Sequence, residues 1–386
     1  MYRSILERNP AVRNANLLVV DDSEVSRTVI QKFFQEEDFS NIEYASDGES
    51  ALKKIETFSP DLIIADIFMP NMNGYDFLKK LRGRKEFDHI PIIIQTSSTD
   101  AKDIAKAFDS GASDVISKPI QKVELLARTT FHLENVLFRK RIEKELQAAR
   151  ELQNSIVPSE SDIESAEEKY DIQIASNFTP CSEIGGDFWG FKKISHGEFG
   201  VYTVDISGHG VAAALNTFRL QSILNDHNNF FSSTSIFLKK LNKRMVELMP
   251  IGQFATMFYG VINMVDNFIQ YSSAASPGGI VIRKSGEIEL LKASGFPLGI
   301  EASADYDLFE TKFEPGDCLI LYSDALIETG NKKGAFLTQD EINAVLSKAK
   351  DSSANEMLKE LIKKFETHVG DMPITDDLTI NIYKRL

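Results

Sequence analysis

Five short runs rich in aliphatic residues, "LLVV", "IEYA", "DLIIAD", "PIIIQT" and "SDVISK", fall between Asn16 and about Thr130 and alternate with stretches of helical periodicity. Strand and helix in regular alternation mean βα units, which fold as a parallel sheet covered by helices on both faces. In such a sheet the chemistry gathers at the carboxyl ends of the strands. Those ends carry Asp21 and Asp22 after the first run, Asp66 after the third, Thr96 after the fourth and Lys118 after the fifth. Three carboxylates brought that close need a cation, and oxygen ligands with water select Mg²⁺. A cation, a hydroxyl and an ammonium around Asp66 would neutralise a phosphoryl group in transit, with Asp66 as the nucleophile. The bland alternative is an acidic pocket without chemistry.

The motifs "VVDD", "ADIFMP", "QTSS" and "SKP", in that order over residues 16–130, resemble the receiver domain of two-component response regulators. The resemblance implies that Asp21 and Asp22 hold Mg²⁺, that Asp66 accepts phosphate from a sensor histidine kinase, that Thr96 contacts the phosphoryl oxygens, and that Lys118 forms the ion pair. One position departs: Val115 stands where many receivers carry an aromatic switch residue, which leaves phosphoacceptance intact but puts the usual coupling to the threonine in question.

The whole chain, 386 residues, exceeds what one core usually fills, so two domains are expected. Between them Gln121 to Ile156 contains no Gly or Pro and places Leu126, Leu133, Leu137, Ile142, Leu146, Ala149 and Ile156 on one stripe, ended by Pro158. A helix of about 36 residues outruns a domain of this size at about 1.5 Å per residue, so a coiled-coil linker over 121–158 and a homodimer are expected rather than packing on its own domain. The acidic stretch "PSESDIESAEEK" that follows reads as a solvated linker.

A net charge of -14 argues against nucleic acid, whose binders need concentrated basic surface. Cys181 and Cys318 show no ligand spacing and read as reduced thiols, which suits the cytoplasm. The N-terminus has no apolar signal region, and no segment approaches the ~18 apolar residues of a membrane span. A soluble, cytoplasmic protein without a membrane or nucleic-acid partner is the expectation.

Beyond Tyr170 the period changes. "DIQIASNF", "FGVYTVDI", "ATMFYGVINM", "NFIQYSSAA", "GIVIRKSGEIELL", "CLILYSD" and "LTINIYK" alternate at period two, with helical stretches near 211–226, 233–249, 338–349 and 353–368. Many strands with clustered helices predict an antiparallel α+β fold, a β-sandwich with flanking helices, over 159–386. Acids stand where these strands stop: Asp187 in "EIGGDFWGF", Asp205 in "VDISGHG", Asp324 in "LILYSDALIE", and Asp376 with Asp377 in "ITDDLTINIY". Each alone is an ordinary turn or cap residue. Together, without a His or Cys ligand set, they describe an oxygen-rich site for two hard divalent ions, which can share and align a water against a phosphate ester.

The order GGD, DxSGHG before an Ala-rich helix, SDxLxE and DD-L-T resembles the PPM group of metal-dependent serine/threonine phosphatases, in its bacterial stress-response and sporulation branch. "ARELQNSIVPSE" is similar to the helix that precedes the domain in that branch. The resemblance implies two Mn²⁺ or Mg²⁺ ions held by Asp187, Asp205, Asp324, Asp376 and the backbone carbonyl of Ile206. It also implies a phosphoserine or phosphothreonine protein as substrate, typically a small anti-sigma-factor antagonist. Asp377 is a secondary candidate ligand, and His209 a candidate general acid at a position where the family also accepts lysine. Phe188, Trp189 and "QFATMF" read as core.

Three positions depart from the pattern: Gly190 where a second acid is common after GGD, Ala325 where glycine usually follows the third aspartate, and "SAASPGG" where "AGH-P" is usual. None removes a predicted carboxylate ligand. The expected function is a response regulator whose output is dephosphorylation of a phosphoprotein, controlled at Asp66. The alternative is a pseudo-phosphatase scaffold that binds a regulatory protein according to its phosphorylation state, kept open by Gly190 and Ala325.

Overall fold

The computed structural model describes residues 2–98, 100–182, 184–208, 210–226, 232–250 and 252–386. It divides into two compact units, Met1–Glu145 and Leu146–Leu386. Among the described residues no helix is long and apolar enough to cross a membrane.

The first unit opens with α1 (Tyr2–Arg8) and a 3-10 turn at Pro10–Asn14. Strands β1 (Leu17–Val20), β2 (Ile42–Ala45), β3 (Leu62–Asp66), β4 (Ile92–Thr96) and β5 (Asp114–Ser117) form one sheet in the order β2-β1-β3-β4-β5. All four pairings are parallel. β1, β3 and β4 are buried along their whole length, which is why they read as unbroken aliphatic runs. Helices α2 (Glu24–Gln35), α3 (Gly48–Phe58), α4 (Gly74–Arg82) and α5 (Ala101–Asp109) follow the first four strands. Ser23, Asp47, Asn73 and Asp100 start these helices by accepting a backbone N–H one turn on. The strand order reverses at β1 and β3, and the crevice outside their carboxyl ends is where the acids lie.

The last helix of this unit, α6 (Lys122–Asn154), runs on past its end. Its apolar residues do not form the single seam expected. Leu126 and Leu133 are fully buried in the core of the first unit with Leu17, Val19 and Ile116, and Leu137 packs partly against it. The apolar side chains that α6 leaves exposed are Val123, Phe131, Phe138, Ile142 and Leu152, a set that shares only Ile142 with the stripe read from the sequence. The stripe read from the sequence combined two faces because a spacing of three or four does not say which neighbour each face meets.

The second unit contains α7 (Glu160–Tyr170), β6 (Ile172–Thr179), β7 (Phe188–Lys193), β8 (Glu198–Ile206), α8 (Val211–Asp226), α9 (Thr234–Leu248), β9 (Ala255–Asn263) and β10 (Phe268–Ala274). It continues through β11 (Gly279–Ile282), β12 (Ile288–Leu290), β13 (Phe309–Lys312), β14 (Cys318–Tyr322), α10 (Ala325–Glu328), α11 (Gln339–Lys348), α12 (Ala354–Val369) and β15 (Leu378–Arg385). Two antiparallel five-stranded sheets, β13-β10-β9-β8-β7 and β12-β11-β14-β15-β6, pack face to face. Val201, Phe258 and Ile269 of the first meet Ile174, Val281, Leu319 and Tyr383 of the second. α8 and α9 cover one outer face and α11 and α12 the other, giving the expected sandwich with flanking helices.

The stretch read as a solvated linker is helix α7. Ser159 and Asp162 form a capping box, and Ala166 and Tyr170 are buried, Tyr170 against the ring of Phe199. Its acids face solvent, which is what the composition registered, while two small contacts anchor it.

Candidate active site and phosphoacceptor pocket

In the first unit, ligand atoms of Asp21, Asp22 and Asp66 lie within 4.8 Å of one another. Asp21 and Asp66 are buried and Asp22 is exposed. Lys118, following β5, donates from Nζ to Asp66 Oδ2 at 2.6 Å and to Asp21 Oδ2 at 3.1 Å. Burial raises the Asp66 carboxyl above the usual carboxylate range, against the opposing pull of Lys118. Burial also works against the Lys118 ammonium, but the carboxylates of Asp66 and Asp21 outweigh it and leave its pKa raised. Asp21 is fixed by two more donors, Ser26 Oγ at 2.6 Å and the Ser23 N–H at 2.9 Å. Thr96 is 1% exposed at the end of β4, and its hydroxyl accepts the Ser98 N–H. Asp21, Asp66 and Lys118 are therefore in contact, with Asp22 beside them, and Thr96 ends the strand next to Asp66. This cluster suits a hard cation and, on Asp66, a phosphoryl group.

In the second unit the acids come from four segments that the sandwich brings to one end. Asp187 precedes β7, Asp205 is near the end of β8, Asp324 follows β14, and Asp376 and Asp377 precede β15. Asp187 is 1% exposed. Its carboxyl pKa is raised well above normal by burial, then by the charge of Asp205, opposed by a hydrogen bond from Thr379. Burial, then Asp324 and Asp376, push Asp205 up to about 7. Burial, then Asp376, push Asp324 up to about 6. Carboxyls that raise one another's pKa in this way repel as anions, and a divalent cation removes the repulsion. The residues therefore fit metal ions. Asp187, Asp205 and Asp324 do not close into a three-ligand cluster within 4.8 Å among the described residues.

Asp377 does something else. Its Oδ2 accepts the N–H of Gly186 at 2.5 Å and of Asp187 at 3.4 Å, and its Oδ1 accepts the N–H of Cys181 at 2.8 Å. The carboxylate holds the loop that carries Asp187, and its ligand atom also lies within 4.8 Å of those of Asp376 and Cys181. Asp376 stays partly exposed, receives the Asp377 N–H on Oδ1, and lies with the half-buried Cys181 thiol inside the same 4.8 Å group.

The two glycines before Asp187 are required by close approach. A Cβ at Gly185 would collide with the Asp377 carboxylate, and one at Gly186 would come 2.7 Å from the Ile206 carbonyl. Ile206 is thus drawn against the Asp187 loop, its carbonyl at the edge of the acid cluster. Thr217 of α8 donates to the Gly186 carbonyl at 3.2 Å, and Gln153 of α6 contacts Gly185. His209 lies outside the described residues. Thr379, Thr217 and Gln153 carried no signal in the sequence, since a hydroxyl or amide that holds another residue's backbone looks like any other polar position.

The two folds and their acid clusters define a phosphoacceptor domain followed by a two-sheet phosphatase domain. Residues 17–130 match the family described as response regulator receiver domain, and residues 195–386 match Stage II sporulation protein E. The chain is a response regulator receiver domain joined to a phosphatase domain of the Stage II sporulation protein E family. Phosphoserine phosphatase RsbU of Bacillus subtilis is 27% identical over 248 residues, 64% of this chain and 72% of that protein. Regulator of RpoS of Escherichia coli is 26% identical over 327 residues, 79% of this chain and 93% of that protein. The SiaA PP2C domain of Pseudomonas aeruginosa matches the fold with a TM-score of 0.57 at 18% identity, covering 64% of this chain and 98% of that one.

Proposed function

We propose that the phosphatase domain hydrolyses a phosphoserine or phosphothreonine protein, of the anti-sigma-factor antagonist class, and that phosphorylation of Asp66 by a histidine kinase controls it. The observation that carries this reading is the mutual repulsion of Asp187, Asp205 and Asp324 at one end of a sandwich whose family is that of phosphatases. The similarity to a phosphoserine phosphatase supports the substrate class. Asp187, Asp205, Asp324 and Asp376, with the Ile206 carbonyl, would hold two Mn²⁺ or Mg²⁺ ions, and Asp21, Asp22 and Asp66 one Mg²⁺. Bound ions would lower the pKa of a shared water and draw it in line with the ester. The chain's own part is to bury and orient Asp187, through Thr379 on its carboxylate and Asp377 on its loop.

Control would pass along α6. The exposed Phe131, Phe138, Ile142 and Leu152 support a coiled coil with a second copy, in place of the seam through Leu126 and Leu133. A homodimer follows from this reading. To test it, phosphate release from a phosphoserine protein is measured with Mn²⁺, with and without beryllofluoride as an acyl-phosphate mimic. A rate that changes several-fold with the mimic is expected; an indifferent rate removes the switch.

One comparison favours a second reading. Regulator of RpoS of Escherichia coli, similar over 327 residues, is named for regulation and not for a phosphatase activity, and the alternative for this chain is a scaffold without turnover. Calorimetry with Mn²⁺ separates the two: a phosphatase domain that binds no ion is a scaffold.

A further inference from the structure

Gln153 sits in the last turn of α6 and is 2% exposed. Its amide pairs with both backbone groups of one residue: Nε2 donates to the Gly185 carbonyl at 2.6 Å, and the Gly185 N–H donates to Oε1 at 3.2 Å. A buried amide left unpaired costs stability, and here both partners of the amide belong to the residue two before Asp187. The other groups that hold this loop, Asp377 and Thr217, belong to the phosphatase fold itself. Gln153 lies in the same unit but on α6, the helix that starts at Lys122 in the first unit.

The neighbours of Gln153 cannot replace it. Leu152 has no hydrogen-bonding group, and Asn154 is one methylene shorter. A displacement of α6 by one residue, about 1.5 Å along its axis and about 100° around it, would break both hydrogen bonds together, because neither tolerates that error. A cleft of about 380 Å³ lies beside the helix end, lined by Arg150, Gln153, Asn154, Phe178, Pro180 and Ser182. Engaged and released settings of this clamp would be the two states that an element needs to carry coupling.

We propose that Gln153 is a positioning residue that ties the Asp187 loop to α6, so that the setting of the helix end determines how well Asp187 is placed for its metal ion. The proposal rests on the reading of Asp187 as a metal ligand and of α6 as the route of control.

The test uses the full chain and its variants Gln153→Met, which keeps the volume but no hydrogen bond, and Gln153→Glu, which keeps the acceptor alone. Calorimetry measures Mn²⁺ affinity. Hydrolysis of p-nitrophenyl phosphate gives kcat and KM with and without beryllofluoride, and circular dichroism checks the fold. In Gln153→Met the Mn²⁺ dissociation constant is expected to rise at least ten-fold, kcat at limiting Mn²⁺ to fall with KM unchanged, and any response to beryllofluoride to disappear. A merely structural residue would lower the melting temperature and leave these ratios alone. If Gln153→Met does not fold, Gln153→Glu decides by the same measurements. A folded variant with wild-type Mn²⁺ affinity overturns the proposal and leaves the metal site standing. A wild-type chain that binds no Mn²⁺ overturns the metal reading, and the proposal with it. A wild type that binds Mn²⁺ and ignores beryllofluoride overturns the control route, while the affinity shift still decides the positioning role.

Discussion

Thr379 donates its hydroxyl to Asp187 Oδ2 at 2.7 Å, and both residues are buried. The contact fixes the carboxylate and opposes the rise in its pKa. Thr379→Val keeps the shape and removes the donor. It should weaken Mn²⁺ binding about ten-fold, in the range of groups that orient metal ligands, and cost about 1 kcal/mol of stability. Calorimetry on the variant measures the first and urea unfolding the second.

The raised carboxyls fix the sign of a pH effect. A group that binds its proton more tightly when folded adds stability below its unfolded pKa, about 3.9 for aspartate, and loses that addition as pH rises through its folded pKa. Asp205, at about 7, and Asp324, at about 6, set the window. Without metal, the melting temperature of the phosphatase domain in the full chain should fall by roughly 5 °C from pH 5 to pH 7.5. Saturating Mn²⁺ should abolish the fall, and Mn²⁺ affinity should drop toward pH 5 as protons compete. Scanning calorimetry at both pH values checks this; a metal-free melting point that rises over the window contradicts it.

Gly190, one of the departures from the phosphatase pattern, has a local cause. A Cβ there would collide with the hydroxyl and ring of Tyr202, which is 3% exposed and packs edge-on against Phe188. The space an acid would need is filled by that ring. Gly190→Asp should therefore destabilise the domain by about 1–3 kcal/mol through overpacking and give no gain in activity. Urea unfolding and an assay with p-nitrophenyl phosphate measure both.

How much of this was legible depended on what each residue touches. Asp66 and Lys118 could be found because each ends a strand in a regular βα alternation, and the strand order then dictates that they meet. Asp187, Asp205 and Asp324 were visible as acids at strand ends. The division of labour between Asp376 and Asp377 was not, because it depends on which of the two faces the N–H groups of Cys181, Gly186 and Asp187. Helix α7 was hidden because Ala166 and Tyr170 are too few to show a period. On α6 the inward Leu126 and Leu133 and the outward Phe131 and Phe138 share one helix, and periodicity alone merges them. Gln153 lies within "ARELQNSIVPSE" with nothing in the sequence to mark its role, since its partner is backbone 32 residues away.

Gln95 offers a check on the receiver core. It is fully buried on β4, in register with Ile116, and neither end of its amide has a hydrogen-bond partner among the described residues. Gln95→Leu should raise receiver stability by about 1–3 kcal/mol, the cost of burying an unpaired amide. A urea midpoint at or below that of the wild type would mean that the amide is satisfied by water.

The most direct test of the metal-centred phosphatase is the rate of phosphate release from a phosphoserine protein in Mn²⁺, compared between the full chain and Asp205→Asn. Removing that carboxylate from the centre of the acid cluster should lower the rate at least a hundred-fold, with the fold intact by circular dichroism. Asp205→Asn at the wild-type rate would contradict the assignment of this cluster as the catalytic metal site.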